Sequence, residues 1–314
     1  MFQPKYTVDQ IRADMSEIGL VSASMPESIS YYFEFNGLNP EKSIAGVEHL
    51  FGSFKSEGLE IAAHIWVPQS PKGTVTVMHG YLNHCGQLKH IFRFLLENGY
   101  AVCAYDEPGH GLSGGKDAWI DDFDKYASVY QDFKSVVGRY CPGPYSVVGF
   151  SQGCCAIIQS NLERKEDFYG KTVLAAPLVR PVQWKKAQFC YRIYRPFRDS
   201  VPRIAQKNTS DETFLDFNKS HDFLHRQRVP LMWVKALKKW NKKIAKMEPV
   251  DKEIFIIQGE KDGTVGWKYN IRFLEKRFRT EKALLKDARH ELFNEKIEIR
   301  NRVFAEILSF LKER

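Results

Sequence analysis

Long apolar runs are missing from this sequence. No stretch of its 314 residues approaches the about 20 consecutive apolar residues that a membrane-spanning helix needs. Residues Met1 to Gln10 hold Lys5 but no apolar run behind it, so no secretory leader is expected and the reading is cytoplasmic. Cysteine is sparse as well: Cys85, Cys103, Cys141, Cys154, Cys155 and Cys190 are scattered, at no metal-ligand spacing. That argues against a disulfide scaffold and a metal site, and for reduced thiols packed in a cytosolic protein. No internal repeat, low-complexity tract or cofactor motif is present, so no cofactor is expected. The net charge of +8 comes without a nucleic-acid-binding motif, and nucleic acid is not expected as a partner.

What is present is enough apolar material, 43%, for a large core, over a length that allows one α/β domain with an insertion. Residues 1–45 read as an N-terminal arm without chemistry. Within it Val8 to Ile18 is expected to be helical, with Thr7 as N-cap and Gln10 as its capping-box partner. An aromatic cluster, Tyr31-Tyr32-Phe33 with Phe35, comes next. Val47 to Phe54 and Leu59 to Val67, joined across Ser56-Glu57-Gly58, read as an antiparallel hairpin. Gly73 to Met78 reads as a buried strand. Leu88, Ile91, Phe92, Leu95 and Leu96 form a helical stripe, and Tyr100 to Tyr105 is the next strand. A helix over Phe123 to Phe133, a strand over Tyr145 to Val148 and a strand over Lys171 to Ala176 continue the alternation. It resumes with a strand at Glu253 to Gln258, a helix over 265–278, a strand at Ala283 to Leu285 and a last helix. This alternation implies a mostly parallel sheet covered on both faces.

The chain is organised around Gly149-Phe150-Ser151-Gln152-Gly153, a G-x-S-x-G sequence between a β-branched run and an apolar stretch able to start a helix. That is the setting of a nucleophile elbow, in which a serine sits on a strained turn and the positions two before and two after lack room for a side chain. A serine nucleophile needs a base, and the base needs an orienting acid. The candidate acid is Asp262 in Gly259-Glu260-Lys261-Asp262, with Glu260 as local competitor and a helix-capping role as the plainer alternative. The candidate base is His290 in Ala288-Arg289-His290-Glu291. The oxyanion hole needs two backbone donors. Gln152 comes directly after the nucleophile, and Tyr81 comes after Met78-His79-Gly80 at the end of an earlier strand. His79 is expected to shape that loop, His110 to be structural in its glycine turn, and His84 and His90 to face solvent.

Together with Asp106-Glu107-Pro108-Gly109-His110-Gly111-Leu112-Ser113, these motifs resemble the α/β-hydrolase group of monoacylglycerol lipases and bacterial lysophospholipases. The resemblance covers roughly residues 47–314. It implies an α/β-hydrolase fold, a Ser151–Asp262–His290 triad and a lid-like helical cap inserted in the core. The expected organisation is an arm (1–45), a first core part (46–176), a cap (177–250) and a second core part (251–314). The implied activity is hydrolysis of carboxylic esters of single-chain lipids through an acyl-enzyme on Ser151. A general carboxylesterase on small soluble esters and a non-catalytic binding protein of the same fold are the alternatives. Phe150 and Gln152 flank the serine where many relatives carry a smaller or different pair.

The charge is unevenly spread. Residues 177–250 carry 17 Lys+Arg against 6 Asp+Glu, and the remainder is slightly acidic. This segment is also aromatic, with Trp184, Phe189, Tyr191, Tyr194, Phe197, Phe214, Phe217, Phe223, Trp233 and Trp240. A solvated basic face over an aromatic core is the plain reading. The sharper one is peripheral contact with an anionic membrane surface at the inner face, where each Lys or Arg contributes about 1 kcal/mol. Lys238, Lys239, Lys242 and Lys243 are the expected contact residues.

Overall fold

The computed structural model describes residues 3–22, 24–164, 168–203 and 206–312. The expected arm and cap therefore each include positions outside the described residues. In chain order the elements are α1 (Val8–Ala13), β1 (Gly19–Leu20), α2 (Glu27–Asn36), β2 (Val47–Ser56), β3 (Leu59–Pro68), β4 (Thr74–Met78), α3 (Lys89–Glu97), β5 (Ala101–Tyr105), α4 (Asp124–Tyr140), β6 (Tyr145–Phe150), α5 (Gly153–Leu162) and β7 (Lys171–Ala175). Then come α6 (Trp184–Tyr194), β8 (Ser200–Pro202), α7 (Glu212–Ser220), β9 (Arg228–Pro230), α8 (Leu231–Ile244), β10 (Glu253–Gly259), α9 (Trp267–Glu275), β11 (Arg279–Leu285) and α10 (Ile297–Lys312).

Among the described residues the main sheet has nine strands in the order β1-β2-β3-β5-β4-β6-β7-β10-β11. The β1–β2, β2–β3 and β3–β5 pairs are antiparallel, and from β5 to β11 the strands run parallel. This is the α/β-hydrolase fold. Strands β4 and β5 are buried along their whole length, and β7 beyond its first residue, because helices cover both faces. The stripes of α4, α5, α8 and α9 pack on one face. Those of α2, α3 and α10 pack on the other.

The helix expected over 8–18 stops at Ala13, although its Thr7–Gln10 capping box forms. The reason lies beyond it: Ser16 to Leu20 pairs with the edge of β2, with Ser53 N–H donating to Ser16 O at 2.8 Å and Ile18 N–H to Ser53 O at 3.2 Å. The penultimate helix starts at Trp267 rather than 265, because Val265 bridges to Pro181. Strand β11 begins four residues before the expected Ala283. It is the sheet edge, and its Arg279, Glu281 and Lys282 face solvent, so the segment shows no apolar pattern.

The cap, which is the segment between β7 and β10, is uneven in its packing. Helices α6 and α7 contain no fully buried residue. Helix α8 buries Trp233, Val234, Leu237, Trp240 and Ile244 against the core. Its polar side is also tied down. Lys239 pairs with Asp122, and Lys243 with Asp124 and Glu163. Two of the four lysines expected at an anionic surface are thus matched by acids of the core.

Candidate functional site

Ser151 lies between β6 and α5, with φ of +51° in the left-handed region. Three backbone bonds fix it there: Ser151 N–H donates to Ala175 O at 2.9 Å, and Ser151 O accepts from Cys154 and Leu178. The flanking glycines are required by close approach. A Cβ on Gly153 would stand 2.6 Å from His79 O, and one on Gly149 would stand 2.6 Å from Ile157 Cδ1. Gly80 lies against Phe150 and Ser151 on the neighbouring strand end.

His290 and Asp262 reach Ser151 from the loops after β11 and β10. Ser151 Oγ–H donates to His290 Nε2 at 3.0 Å, and His290 Nδ1–H donates to Asp262 Oδ2 at 2.7 Å. The acid and base loops touch because Gly259 has no side chain. A Cβ there would lie 2.4 Å from Arg289 O. Asp262 does two jobs. Its Oδ2 also accepts from Gln258 Nε2 at 3.0 Å, and its Oδ1 accepts the N–H groups of Thr264 at 2.7 Å and Val265 at 3.0 Å. Burial raises the Asp262 carboxyl, but His290 and these donors outweigh it, and the net shift is downward. Burial lowers the His290 imidazole, but Asp262 outweighs it, and the net shift is upward. Glu260, the local competitor, is exposed.

The backbone N–H groups of Tyr81 and Gln152 have no hydrogen-bond acceptor among the described residues. Tyr81 lines the cavity that contains Ser151 and His290, of about 240 Å³. Its hydroxyl donates to Ala118 O at 2.9 Å, and its ring stacks on Trp233 at 4.1 Å. The Gln152 side chain is turned to the same residue, accepting from Trp233 Nε1–H at 3.1 Å. Trp233 of the cap therefore rests on both proposed oxyanion positions. In the sequence it is only one of the cap aromatics.

His79 and His110 build loops. The Glu107 N–H donates to His79 Nε2 at 2.8 Å, which leaves His79 Nδ1–H to donate to Gly80 O at 2.7 Å. Burial pushes His79 down to about 3, so it stays neutral. His110 donates from Nδ1 to Pro108 O at 2.9 Å and lies 5.5 Å from both the His79 and Tyr81 rings. The loop they shape is held from two further sides. Asp106 accepts the N–H groups of Cys85 at 2.7 Å and Leu112 at 2.8 Å. Arg12, from α1, donates to the carbonyls of Gly111, Leu112 and Ser113 at 3.2, 3.0 and 2.7 Å.

His84 departs from expectation. It is fully buried rather than solvent-facing, and its Nε2–H donates to Asp222 Oδ2 of the cap at 2.9 Å. The partner lies 138 residues away, so no local pattern announces it. His90 is half-buried. The polar end of the cavity contains further residues to which the sequence assigns no role: Asn83, Arg203, Gln206, Asn208 and Glu291. Among the described residues no cluster of side chains has the make-up of a metal site.

A family model described as Hydrolase_4, serine aminopeptidase S33, matches residues 69–297. The monoacylglycerol lipase of Mycolicibacterium smegmatis is 32% identical over 137 residues, 42% of this chain and 47% of the relative. The monoglyceride lipase of Homo sapiens is 32% identical over 126 residues, 40% of this chain and 41% of the relative. The matched stretch thus spans less than half the length of these relatives. A soluble variant of the monoglyceride lipase of Saccharomyces cerevisiae, solved with a substrate analogue, superposes with a TM-score of 0.71 at 19% identity, over 83% of this chain and 94% of that one.

Proposed function

This chain belongs to the Hydrolase_4 (serine aminopeptidase, S33) family, and from that premise we propose that it hydrolyses carboxylic esters of single-chain lipids, as monoacylglycerol lipases and lysophospholipases do. The observation that carries the proposal is the continuous Ser151–His290–Asp262 hydrogen-bond chain opening into a cavity walled by Leu178, Val182, Val229, Trp233 and Val265.

In the proposed reaction Ser151 Oγ attacks the ester carbonyl while His290 Nε2 takes its proton. Asp262 holds the imidazole in the right tautomer and supports its cation. The backbone N–H groups of Tyr81 and Gln152 receive the oxyanion. Collapse returns the proton to the leaving alcohol and leaves the acyl group on Ser151. Water, deprotonated by His290, then attacks the acyl carbonyl; the bond to Ser151 Oγ breaks, His290 returns the proton to Oγ, and the fatty acid leaves.

The cap would bring this site to a lipid surface through α6 and the turn after it. Phe197 is 81% exposed and Phe189 62%, beside exposed Ile193 and Tyr194. Lys185, Lys186, Arg192, Arg195 and Arg198 surround them. Val182, exposed at the cavity mouth, leads from this face to the site. Apolar side chains ringed by cations suit an anionic membrane interface. Helix α8, with its paired lysines, is not the contact face in this reading. No helix of the described residues is long and apolar enough to cross a membrane.

A fluorophosphonate probe combined with a hydrolysis panel of monoacylglycerols, lysophospholipids and graded p-nitrophenyl esters tests the proposal. Labelling that is lost in Ser151→Ala and faster turnover of long single-chain esters are expected. An unlabelled wild-type protein would overturn it. Preference for the shortest esters would move the assignment to a general carboxylesterase.

A further inference from the structure

The catalytic cavity contains one cation that the acyl-transfer chemistry does not use. Arg203 stands directly after β8 in the cap and lines the cavity together with Ser151 and His290. It is the one Arg or Lys among the described residues that line it. Its backbone N–H donates to Gln227 O at 2.9 Å, and Nη1–H donates to His225 Nε2 at 2.9 Å. Burial, and after it the adjacent guanidinium, pushes His225 down to about 4, so this partner is a neutral acceptor. Among the described residues no carboxylate stands within ion-pair distance of Arg203 and no second acceptor takes the rest of its donor fork. Glu291 acts on this guanidinium only through space, without an ion pair, and the planar fork matches the oxygens of phosphate or carboxylate.

The nearest competitor for that fork is Glu291, which lines the same cavity. Its carboxylate is already held by Asn83 Nδ2 at 3.3 Å and Asn208 Nδ2 at 3.1 Å. Burial pushes the Glu291 carboxyl up while His290 and Arg203 pull it back, and no ion pair joins it to Arg203. The position of Arg203 is also built rather than incidental. The His225 N–H donates to Asp222 Oδ1 at 3.1 Å, and Asp222 Oδ2 accepts from His84 of the core. One buried carboxylate therefore ties the partner of Arg203 to the loop that carries Tyr81. The apolar wall suits an acyl chain. The other end contains Arg203 and Gln206 beside Glu291, whose carboxylate Asn83 and Asn208 hold, and it suits a polar head group.

We propose that Arg203 is a specificity-determining residue that receives an oxyanion on the alcohol side of the ester, so that the substrates are single-chain lipids with an anionic, phosphate-type head group rather than neutral glycerides. The inference rests on the proposed lipid-ester activity. A neutral monoacylglycerol gives the guanidinium nothing to pair with. A glycerophosphate head group presents two or more oxygens to a bidentate fork.

The test compares 1-acyl lysophosphatidic acid with the monoacylglycerol of the same chain, using the full chain and active-site titration by fluorophosphonate. The wild type is expected to favour the anionic ester in kcat/KM. Arg203→Gln should lower that anionic-to-neutral ratio at least about tenfold, mainly through KM, and Arg203→Lys should restore part of it. Glycerol 3-phosphate should compete in the wild type and at least about tenfold more weakly in Arg203→Gln. Inorganic phosphate competing equally well would assign the anchor to the oxyanion itself rather than to the glycerophosphate. An unchanged ratio in Arg203→Gln, or no anionic preference in the wild type, overturns the role of Arg203 while leaving the ester reading standing. Turnover of neither lipid by a titratable enzyme overturns both.

Discussion

The core side of the cavity and the cap side hold their polar groups by different means. On the core side Ser151, Asp262 and His290 sit on short loops at the carboxyl ends of parallel strands, and the sheet sets their spacing. Glycines at 149, 153 and 259 let those loops touch. On the cap side α6 and α7 bury no residue completely, and the segment is fastened by the apolar face of α8 and by polar pins. The pins include His84–Asp222, Trp233 on Gln152, Trp240 on Gln159 at 2.9 Å, Thr209 on Asn294 O at 2.7 Å, and the Lys239 and Lys243 ion pairs. A wall spaced by a sheet keeps reacting atoms at fixed distances. The α6 and α7 part of the cap, which buries no residue completely, can be rebuilt without disturbing them, which fits a division into chemistry on one side and substrate selection on the other.

The sharpest break falls on the core side. Ser151→Ala is expected to reduce ester hydrolysis by on the order of 10⁵-fold and Asp262→Asn by about 10⁴-fold, with native circular dichroism in both. A mild Asp262→Asn beside a damaging Glu260→Gln would reassign the acid. The pH profile sharpens the same point. His290 works as a base only when neutral, and Asp262 holds it above the ordinary 6.5. The acid limb of kcat/KM should therefore lie above 6.5 in the wild type and move to lower pH in the residual activity of Asp262→Asn.

The largest effect expected on the cap side is on stability. Asp222→Ala leaves His84 buried without its partner and should cost about 3 kcal/mol, read from chemical denaturation. Loss of amide protection should centre on the cap. If protection instead falls evenly through β4 to β7, the cap and core are one cooperative unit and the contrast between the two walls fails.

A subtler contrast lies between two buried carboxyls. At the cap junction burial raises Asp222, but His84 and Gln87 outweigh it and hold it well below the usual range. In the core, burial pushes Glu107 up to about 8 from an ordinary 4.5. Folded protein therefore keeps a proton on Glu107 that the unfolded chain has lost, and this stabilisation is full below about 4.5 and fades as pH rises towards 8. Glu107→Gln should flatten the decline of Tm between pH 5 and 9. An equally steep decline in the variant would place the titrating group elsewhere.

The smallest effect belongs to the outer cap. Replacing Phe189 and Phe197 together by serine should weaken binding to anionic vesicles severalfold. Added salt should weaken the wild type, while turnover of a small soluble ester is retained. Equal binding to neutral and anionic vesicles would make α6 a solvated face.

Legibility in the sequence divides along the same line. The elbow, the acid and base loops, the hairpin and the long helices announce themselves locally, through G-x-S-x-G, apolar stripes and breakers. The cap side is set by pairings across long sequence separations. His84 looks like an exposed loop histidine until Asp222 meets it. Lys239 and Lys243 look like a membrane-facing stripe until Asp122 and Asp124 meet them. Arg203 is one basic residue among 17 in its segment, and only its place in the cavity distinguishes it. Strand β11 is half hidden because an edge strand shows charges where a buried one shows valines.

Arg12 has a consequence for how this molecule can change over time. It caps three carbonyls of a loop about a hundred residues away, and that loop holds the backbone around Asp106, whose neighbour Glu107 is bonded to His79. The arm touches no reacting atom, yet it braces a turn that stands behind the oxyanion strand end. The hydrolase core is therefore not a portable cassette. Recombination that exchanged the first 45 residues for an unrelated leader would remove a rivet from the loop over Gly111 to Ser113, and any lineage that reshuffled this terminus would have to replace Arg12 with another clasp.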